Sequence, residues 1–311
     1  MSGPTRSPAA RDPAPVPPVL VLGLAVVAFS WAAPLVRFTT APASAIALWR
    51  LVLATAVLVL LLSVRSGGWR PLLRLPRRDL ALGLLAGVLL ALHFWSWIAS
   101  IQYTSVASSV LLVSTQPLFV ALLSGLLLGE RPAPREWAGI LVAAAGAGWI
   151  GWSDATGVGG MALRGDLLAV LGALLAALYF IVGRSVRRRL DLVSWVTLVY
   201  GAAALVLVVV VSLQPDVSLV RGYSRTDWLV FVGLAAGPML VGHTGVNYAL
   251  RYVRAYLANL AVLGEPVGAT LIAWVLPAIA ERPSGATLGG GALILAGVAL
   301  ATLRGPSGRA R

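Results

Sequence analysis

Residues 83–93 read GLLAGVLLALH, and residues 233–243 read GLAAGPMLVGH. Gly83, Gly87 and His93 of the first stretch recur as Gly233, Gly237 and His243 of the second, always 150 positions on. These are the only two histidines in the chain. Working outward, the correspondence continues in order. Gln116-Pro117 returns as Glu265-Pro266, Glu130-Arg131-Pro132 as Glu281-Arg282-Pro283, and Gly139 with Gly146 as Gly290 with Gly297. A glycine-rich chain offers one such match by chance. Several sets in a single order indicate an internal duplication, with the small drifts in offset falling in loops.

The solvent that suits this chain is lipid. Its 311 residues are 59% hydrophobic and 11% charged. A soluble fold of this size would be left with large exposed apolar patches. Ten apolar runs, each about 20 residues, are long enough to cross a hydrocarbon core. They cover roughly residues 18–36, 43–64, 79–100, 105–128, 134–152, 166–184, 192–213, 227–249, 255–278 and 285–303. The expected fold is therefore an all-α integral membrane protein of ten transmembrane helices in two five-helix repeats, 18–153 and 165–304. An odd number of helices per half makes the second repeat inverted. Residues 1–17, rich in proline and arginine, and 305–311 read as cytoplasmic tails. A cleaved signal peptide fits poorly, because Ala43-Ser44-Ala45 would place the cut at the start of the second run.

The charge is +13, with every basic residue an arginine and no cysteine anywhere. Its distribution argues against nucleic acid, because the arginines stand in the breaks between runs. With the N-terminus inside, eighteen arginines fall on inner segments and five on outer ones (Arg37, Arg164, Arg221, Arg225 and Arg282), while Arg50 lies within a run. That bias places both termini in the cytoplasm. The absence of cysteine excludes disulfides, thiolate metal sites and a cysteine nucleophile.

The sequence from Gly129-Glu130-Arg131-Pro132 into the glycine-spaced fifth run, the stretch LRYVRAYLANLAVLGEP at 250–266, and Glu281-Arg282-Pro283 before the last run resemble the EamA-type branch of the drug/metabolite transporter superfamily. The resemblance spans about residues 18–304. It implies a carrier of the bacterial inner (plasma) membrane, often an exporter of amino acids, metabolites or drugs. The first half departs from symmetry, carrying Gln116 where the second carries Glu265.

Eight residues form the candidate substrate pathway. Glu265, expected mid-helix, pays about 2.5 kcal/mol or more to sit within a membrane, so it should face a cavity or a partner. It suits proton coupling or substrate contact; capping backbone groups freed by Pro266 is the structural alternative. Arg50 could bind a substrate carboxylate through its fork, but its place near a helix end favours snorkelling to the outer interface. His93 and His243 lack a second ligand one turn on, so no metal site is expected; both line the cavity or bond neighbouring helices. Trp97 and Asn247 follow them, and aromatic rings with a few polar groups suit an amphipathic organic solute, although an interfacial aromatic belt would look the same. Gln116 shares a helical face with Ser109 and Ser105, and Tyr179 on the sixth run completes the set. The glycines at 139, 146, 290 and 297 are read as packing positions.

A secondary transporter, probing the outside and inside alternately through a site between inverted repeats, is the leading expectation. It would export a small organic metabolite, amino-acid-like or amphipathic, with proton coupling as an option. The alternatives are a polytopic membrane enzyme or a non-transporting receptor. The enzyme reading lacks a metalloprotease motif, a phosphate-binding loop and paired acids within a run, so no enzyme activity and no cofactor are expected. Expected partners are a small-molecule substrate and membrane lipid, with no nucleic acid; a homodimer stays open.

Overall fold

The computed structural model describes residues 14–128, 133–157, 160–186, 189–249, 252 and 261–302. Both tails beyond these limits, the Glu130-Arg131-Pro132 sequence and most of the 250–260 stretch lie outside the described residues.

The described chain is helical. α1 (Pro18–Ser30) and α2 (Ala32–Val36) form one rod interrupted at Trp31. α3 (Ala43–Val64), the short α4 (Arg70–Leu73) and α5 (Arg77–Tyr103) follow. α6 (Val106–Val113) and α7 (Gln116–Leu128) are separated by a break at Ser114 and Thr115. Then come α8 (Pro134–Gly157), α9 (Met161–Val186), α10 (Leu192–Ser212) and α11 (Arg225–Leu234). α11 passes into a π-helical segment (Ala235–His243) and on into α12 (Thr244–Ala249). α13 (Gly264–Val275) and α14 (Gly285–Thr302) complete the described elements. Seven of the described helical stretches are long and apolar enough to cross a membrane, and α14 is a shorter apolar helix.

The surface composition is that of a membrane protein. Val57, Leu60, Leu61, Leu205, Val209, Leu271 and Val275 point outward, while Ala25, Ala33, Ala47, Ala54, Ala91 and Ala203 are wholly buried. With lipid outside there is no hydrophobic drive to bury large side chains. Small residues go inward because they let backbones approach. The crossing of α8 and α14 takes this furthest. A Cβ on Gly139 would lie 2.5 Å from the Gly297 carbonyl oxygen, and one on Gly146 would lie 2.5 Å from that of Gly290. The packing role expected of these four glycines is what they have.

Polar caps and ion pairs gather at the two ends of the bundle. At one end Arg65 meets Asp191 at 2.6 Å and Arg189 meets Asp79 at 2.5 Å. Asp191 also caps α10 by accepting from the Ser194 N–H at 3.2 Å. Burial works to raise its pKa, but the Arg65 guanidinium and the Ser194 donors outweigh it and pull the carboxyl down to about 2. At the opposite end Arg37 pairs with Glu281 at 2.5 Å and donates to the Thr104 carbonyl at 2.7 Å. Ser224 and Asp227 form a reciprocal capping box there that starts α11.

Candidate functional site

Between these two ends, α3, α5, α10, the π segment and α13 bring their polar side chains together. Arg50 is the centre. It sits two turns into α3, is 0% exposed, and does not snorkel to an interface. α3 runs among α5, α10 and the π segment, so the route to the headgroups is closed by protein. Its guanidinium carbon stands 4.0 Å over the Phe94 ring and 5.9 Å from that of Trp97. Nη2 reaches the Met239 sulfur at 3.7 Å, a weak acceptor. Nε and Nη1 have no hydrogen-bond partner among the described residues. A desolvated guanidinium over an aromatic face gains about 2 kcal/mol. That falls short of what hydrogen bonds to an anion supply.

The helices supply breaks where the site needs polar backbone. Glu265 is not mid-helix as the sequence suggests. It lies in the first turn of α13, which starts at Gly264 after a turn at Leu263. Pro266 explains the difference, since a residue without an N–H is tolerated in a first turn and costly further in. The N-terminal end of the helix dipole favours a carboxylate there. Glu265 is within electrostatic reach of Arg50, yet keeps an intermediate accessible surface. Gln116 has the same setting, opening α7 directly before Pro117. Because the chain breaks at Ser114 and Thr115, the helical face expected to join Gln116 to Ser109 and Ser105 does not continue. Ser109 bonds Ser100 at 2.6 Å, and Ser105 bonds Ser108 at 3.0 Å.

The two histidines take part differently. His93 places Nδ1 2.8 Å from the Gly172 carbonyl oxygen on α9, tying α5 to that helix. His243 closes the π segment, its ring edge-on to Phe29 at 4.8 Å and to Phe94 at 5.2 Å. The π turn widens the helix around Gly237 and Pro238, and such bulges recur at functional sites. Asn247 donates to the His243 carbonyl at 2.8 Å, while its own buried Oδ1 has no partner among the described residues. Among the described residues no group of three or more His, Cys, Asp or Glu could hold a metal ion.

Arg50, His93, His243, Trp97 and Glu265 thus belong to one neighbourhood, and Asn247 stands one helical turn beyond it, tied to the His243 carbonyl. Tyr179 does not join it through its ring, which stacks with Trp195 at 6.4 Å and leans on Phe180. The sequence reading missed Tyr200, Thr244, Met239 and Phe29. Tyr200 Oη lies 3.4 Å from Thr244 Oγ1 and within electrostatic reach of Arg50. A buried tyrosine in an apolar run was the available signal. A separate cleft of about 380 Å³ opens at the Arg37 end, lined by Ser44, Gln102, Tyr103, Arg164 and Gln214 among others. Its uncharged polar side chains include pairs already engaged, Ser44 with Gln214 at 2.7 Å and Gln102 with the Ala41 carbonyl at 3.0 Å. The uncompensated charge marks the Arg50 neighbourhood as the better candidate.

Comparisons with known proteins bear on the chain as a whole. The model of the EamA-like transporter family matches residues 17–152 and again residues 163–303. An uncharacterized transporter, YdfC, of Bacillus subtilis (strain 168) is 27% identical over 265 residues, 83% of this chain and 81% of its own. An uncharacterized transporter of Archaeoglobus fulgidus is 28% identical over 208 residues, 66% of this chain and 70% of its own. A riboflavin transporter of Rhizobium johnstonii is 40% identical over 90 residues, 28% of each chain. A solved crystal structure superposes with a TM-score of 0.63 at 24% identity, covering 91% of this chain and 96% of its own. At that identity the likeness speaks to the fold alone.

Proposed function

The chain belongs to the EamA-like transporter family, and from that premise we propose that it is a secondary active carrier for a small organic metabolite bearing an anionic group. It is a multi-pass membrane transporter; the solute, the direction and the mechanism are the proposal. One observation carries it. Arg50 is buried to 0% exposure with two N–H-bearing nitrogens unmatched among the described residues. A carboxylate offers the two parallel acceptors that a guanidinium fork holds best. Phe94, Trp97 and His243 would flank the apolar part of an amino-acid-like or amphipathic solute. Glu265, opening a half-helix within electrostatic reach, would compete with the solute for Arg50 and could carry a coupling proton.

The proposed architecture is ten spans in two inverted halves, 18–153 and 165–304. Its support is the packing at the glycine crossing. Gly139 meets Gly297 and Gly146 meets Gly290, while Gly290 and Gly297 are the repeat equivalents of Gly139 and Gly146. An element that meets its own equivalent through swapped positions is related to it by a twofold axis. Likewise α3 packs on α10, and α5 on α9 as the π segment packs on α1. Half-helices opening at Gln116 and Glu265 are the discontinuous elements that such carriers place around their sites. The Arg37–Glu281 contact would close the outer end in this conformation, with both termini on the cytoplasmic side of a bacterial inner membrane and export as the direction.

The test begins with metabolite profiling of cells and medium with and without overexpression. It continues with flux of the implicated solute in proteoliposomes. Arg50→Gln should abolish flux, and Glu265→Gln should remove its pH dependence. If the wild-type protein moves no solute while converting one chemically, the carrier reading is wrong and a membrane enzyme takes its place.

A further inference from the structure

A second group of acids meets at the Arg37 end, and the Arg50 site makes no use of it. Thr104 ends α5, and its hydroxyl lies 2.9 Å from Oδ1 of Asp166 on α9 and 3.3 Å from Oδ2 of Asp154 on α8. Ser108 reaches the same Asp154 oxygen at 3.4 Å. The two carboxyl groups are thus gathered at a single threonine hydroxyl. Gly165 makes the meeting possible. A Cβ there would lie 2.7 Å from the Thr104 nitrogen and 2.9 Å from the Ser100 carbonyl oxygen, so α9 comes against α5 at this turn.

The donors do not suffice for two ionised acids. Asp166 is 3% exposed, and its Oδ2 is buried with no hydrogen-bond partner among the described residues. Ser108 can donate to Asp154, but the one threonine hydrogen leaves Asp166 Oδ2 unserved, and like charges gathered at one hydroxyl favour neutralising one of them. A shared proton removes the repulsion and supplies the missing donor. We propose that Asp154 and Asp166 form a proton-binding pair that holds one proton between their carboxyl groups.

The nearest charges are Arg164, two positions before Asp166, and the Arg37–Glu281 pair, which also bonds the Thr104 carbonyl and the Val106 N–H. None of these three residues forms an ion pair with Asp154 or Asp166 among the described residues. α5 presents Tyr103, whose ring lies 4.7 Å under the Arg164 guanidinium carbon. His93, further along α5, is engaged with Gly172. α6 and α7 carry no ionisable side chain. From α2, Arg37 is spent on Glu281 and on the Ile101 and Thr104 carbonyls. Arg135 and Glu136 stand at the other end of α8. The cleft lined by Tyr103 and Arg164 includes the chain neighbour of Thr104 and a residue two positions from Asp166, so the pair lies at the same end of the bundle as the cleft. A metal ion is poorly served, because two carboxylates and two hydroxyls fall short of a calcium or magnesium shell.

The inference is read without any transported solute, so it stands or falls apart from the carrier reading. Infrared difference spectra of the full chain in lipid nanodiscs, stepped in pH, should show a protonated-carboxyl C=O band, separate from any contributed by Glu265, that disappears as pH rises. The band should be absent in both Asp154→Asn and Asp166→Asn and persist in Glu265→Gln. Each asparagine brings its own N–H donors, so these variants should stay folded, with thermal midpoints that no longer change across the titration. Survival of the band in both asparagine variants overturns the proposal. So does its removal by sodium chloride at a fixed pH where choline chloride at equal strength leaves it, which would make the pair a cation site.

Discussion

Replacing Gly146 by alanine sets two effects of known sign against each other. In a helix interior the change from glycine favours folding by up to about 1 kcal/mol. Here the new Cβ would meet the Gly290 carbonyl oxygen at 2.5 Å, the Leu293 Cβ at 2.9 Å and the Ile294 nitrogen at 3.0 Å. Two of those atoms are backbone and the third is fixed to it, so no rotamer change relieves the clash and α8 and α14 must part. Overpacking of this kind costs about 1–3 kcal/mol, which against the full propensity gain leaves a net loss of about 0–2 kcal/mol, or up to roughly 30-fold in the folded-to-unfolded ratio. Gly148, two residues on along the same helix, is the internal control. It is exposed, and a Cβ there meets nothing within 4 Å, so Gly148→Ala should stabilise by up to about 1 kcal/mol. Reversible denaturation in mixed micelles, followed by tryptophan fluorescence, reads both shifts. Gly146→Ala combined with Gly290→Ala should lose less than the sum, because the first substitution has already opened the crossing. If Gly146→Ala raises the midpoint as Gly148→Ala does, the close-approach reasoning fails.

Arg50→Met should stabilise the protein by about 1 kcal/mol or more, since it removes a buried charge without an acidic hydrogen-bond partner among the described residues; flux of a carboxylate solute should fall at least roughly tenfold, the counterpart of about 1.4 kcal/mol of lost binding. Unchanged flux would end the anion-binding role. Asp191→Ala removes the α10 cap and should cost about 1 kcal/mol, which denaturation of the purified variant measures. Because the Asp191 pKa lies at about 2 in the folded protein, below its ordinary 3.8, its stabilisation is present above 3.8 and disappears as pH falls toward 2. Asp191→Asn should therefore flatten the acid limb of the stability profile, and an unaltered limb would count against the Arg65 pair. Ser224→Ala breaks the capping box at the start of α11 and should likewise cost about 1 kcal/mol, with hydrogen exchange faster in that first turn.

The membrane class and the duplicated pattern were legible in the residues, because each depends on local composition. Apolar run length is set by the hydrocarbon core, and glycine spacing by what a helix face can bring close. The positions of Glu265 and Gln116 as helix openers were half legible, since Pro266 and Pro117 announced a disturbance but periodicity carried the helices through them. The fate of Arg50 was not legible. A long side chain near a helix end has a route to the interface unless neighbouring helices close it, and only packing against α5, α10 and the π segment does so. Asp154 and Asp166 stand on separate helices, and nothing along the chain announces their meeting. Gly165 allows it, but only a tertiary contact with Thr104 makes it happen. Sequence alone determined which segments prefer lipid and which positions can pack closely, since those are properties of single residues and their neighbours. Which charges are left facing one another, or facing nothing, was decided by tertiary structure, because charge compensation is a property of pairs in space.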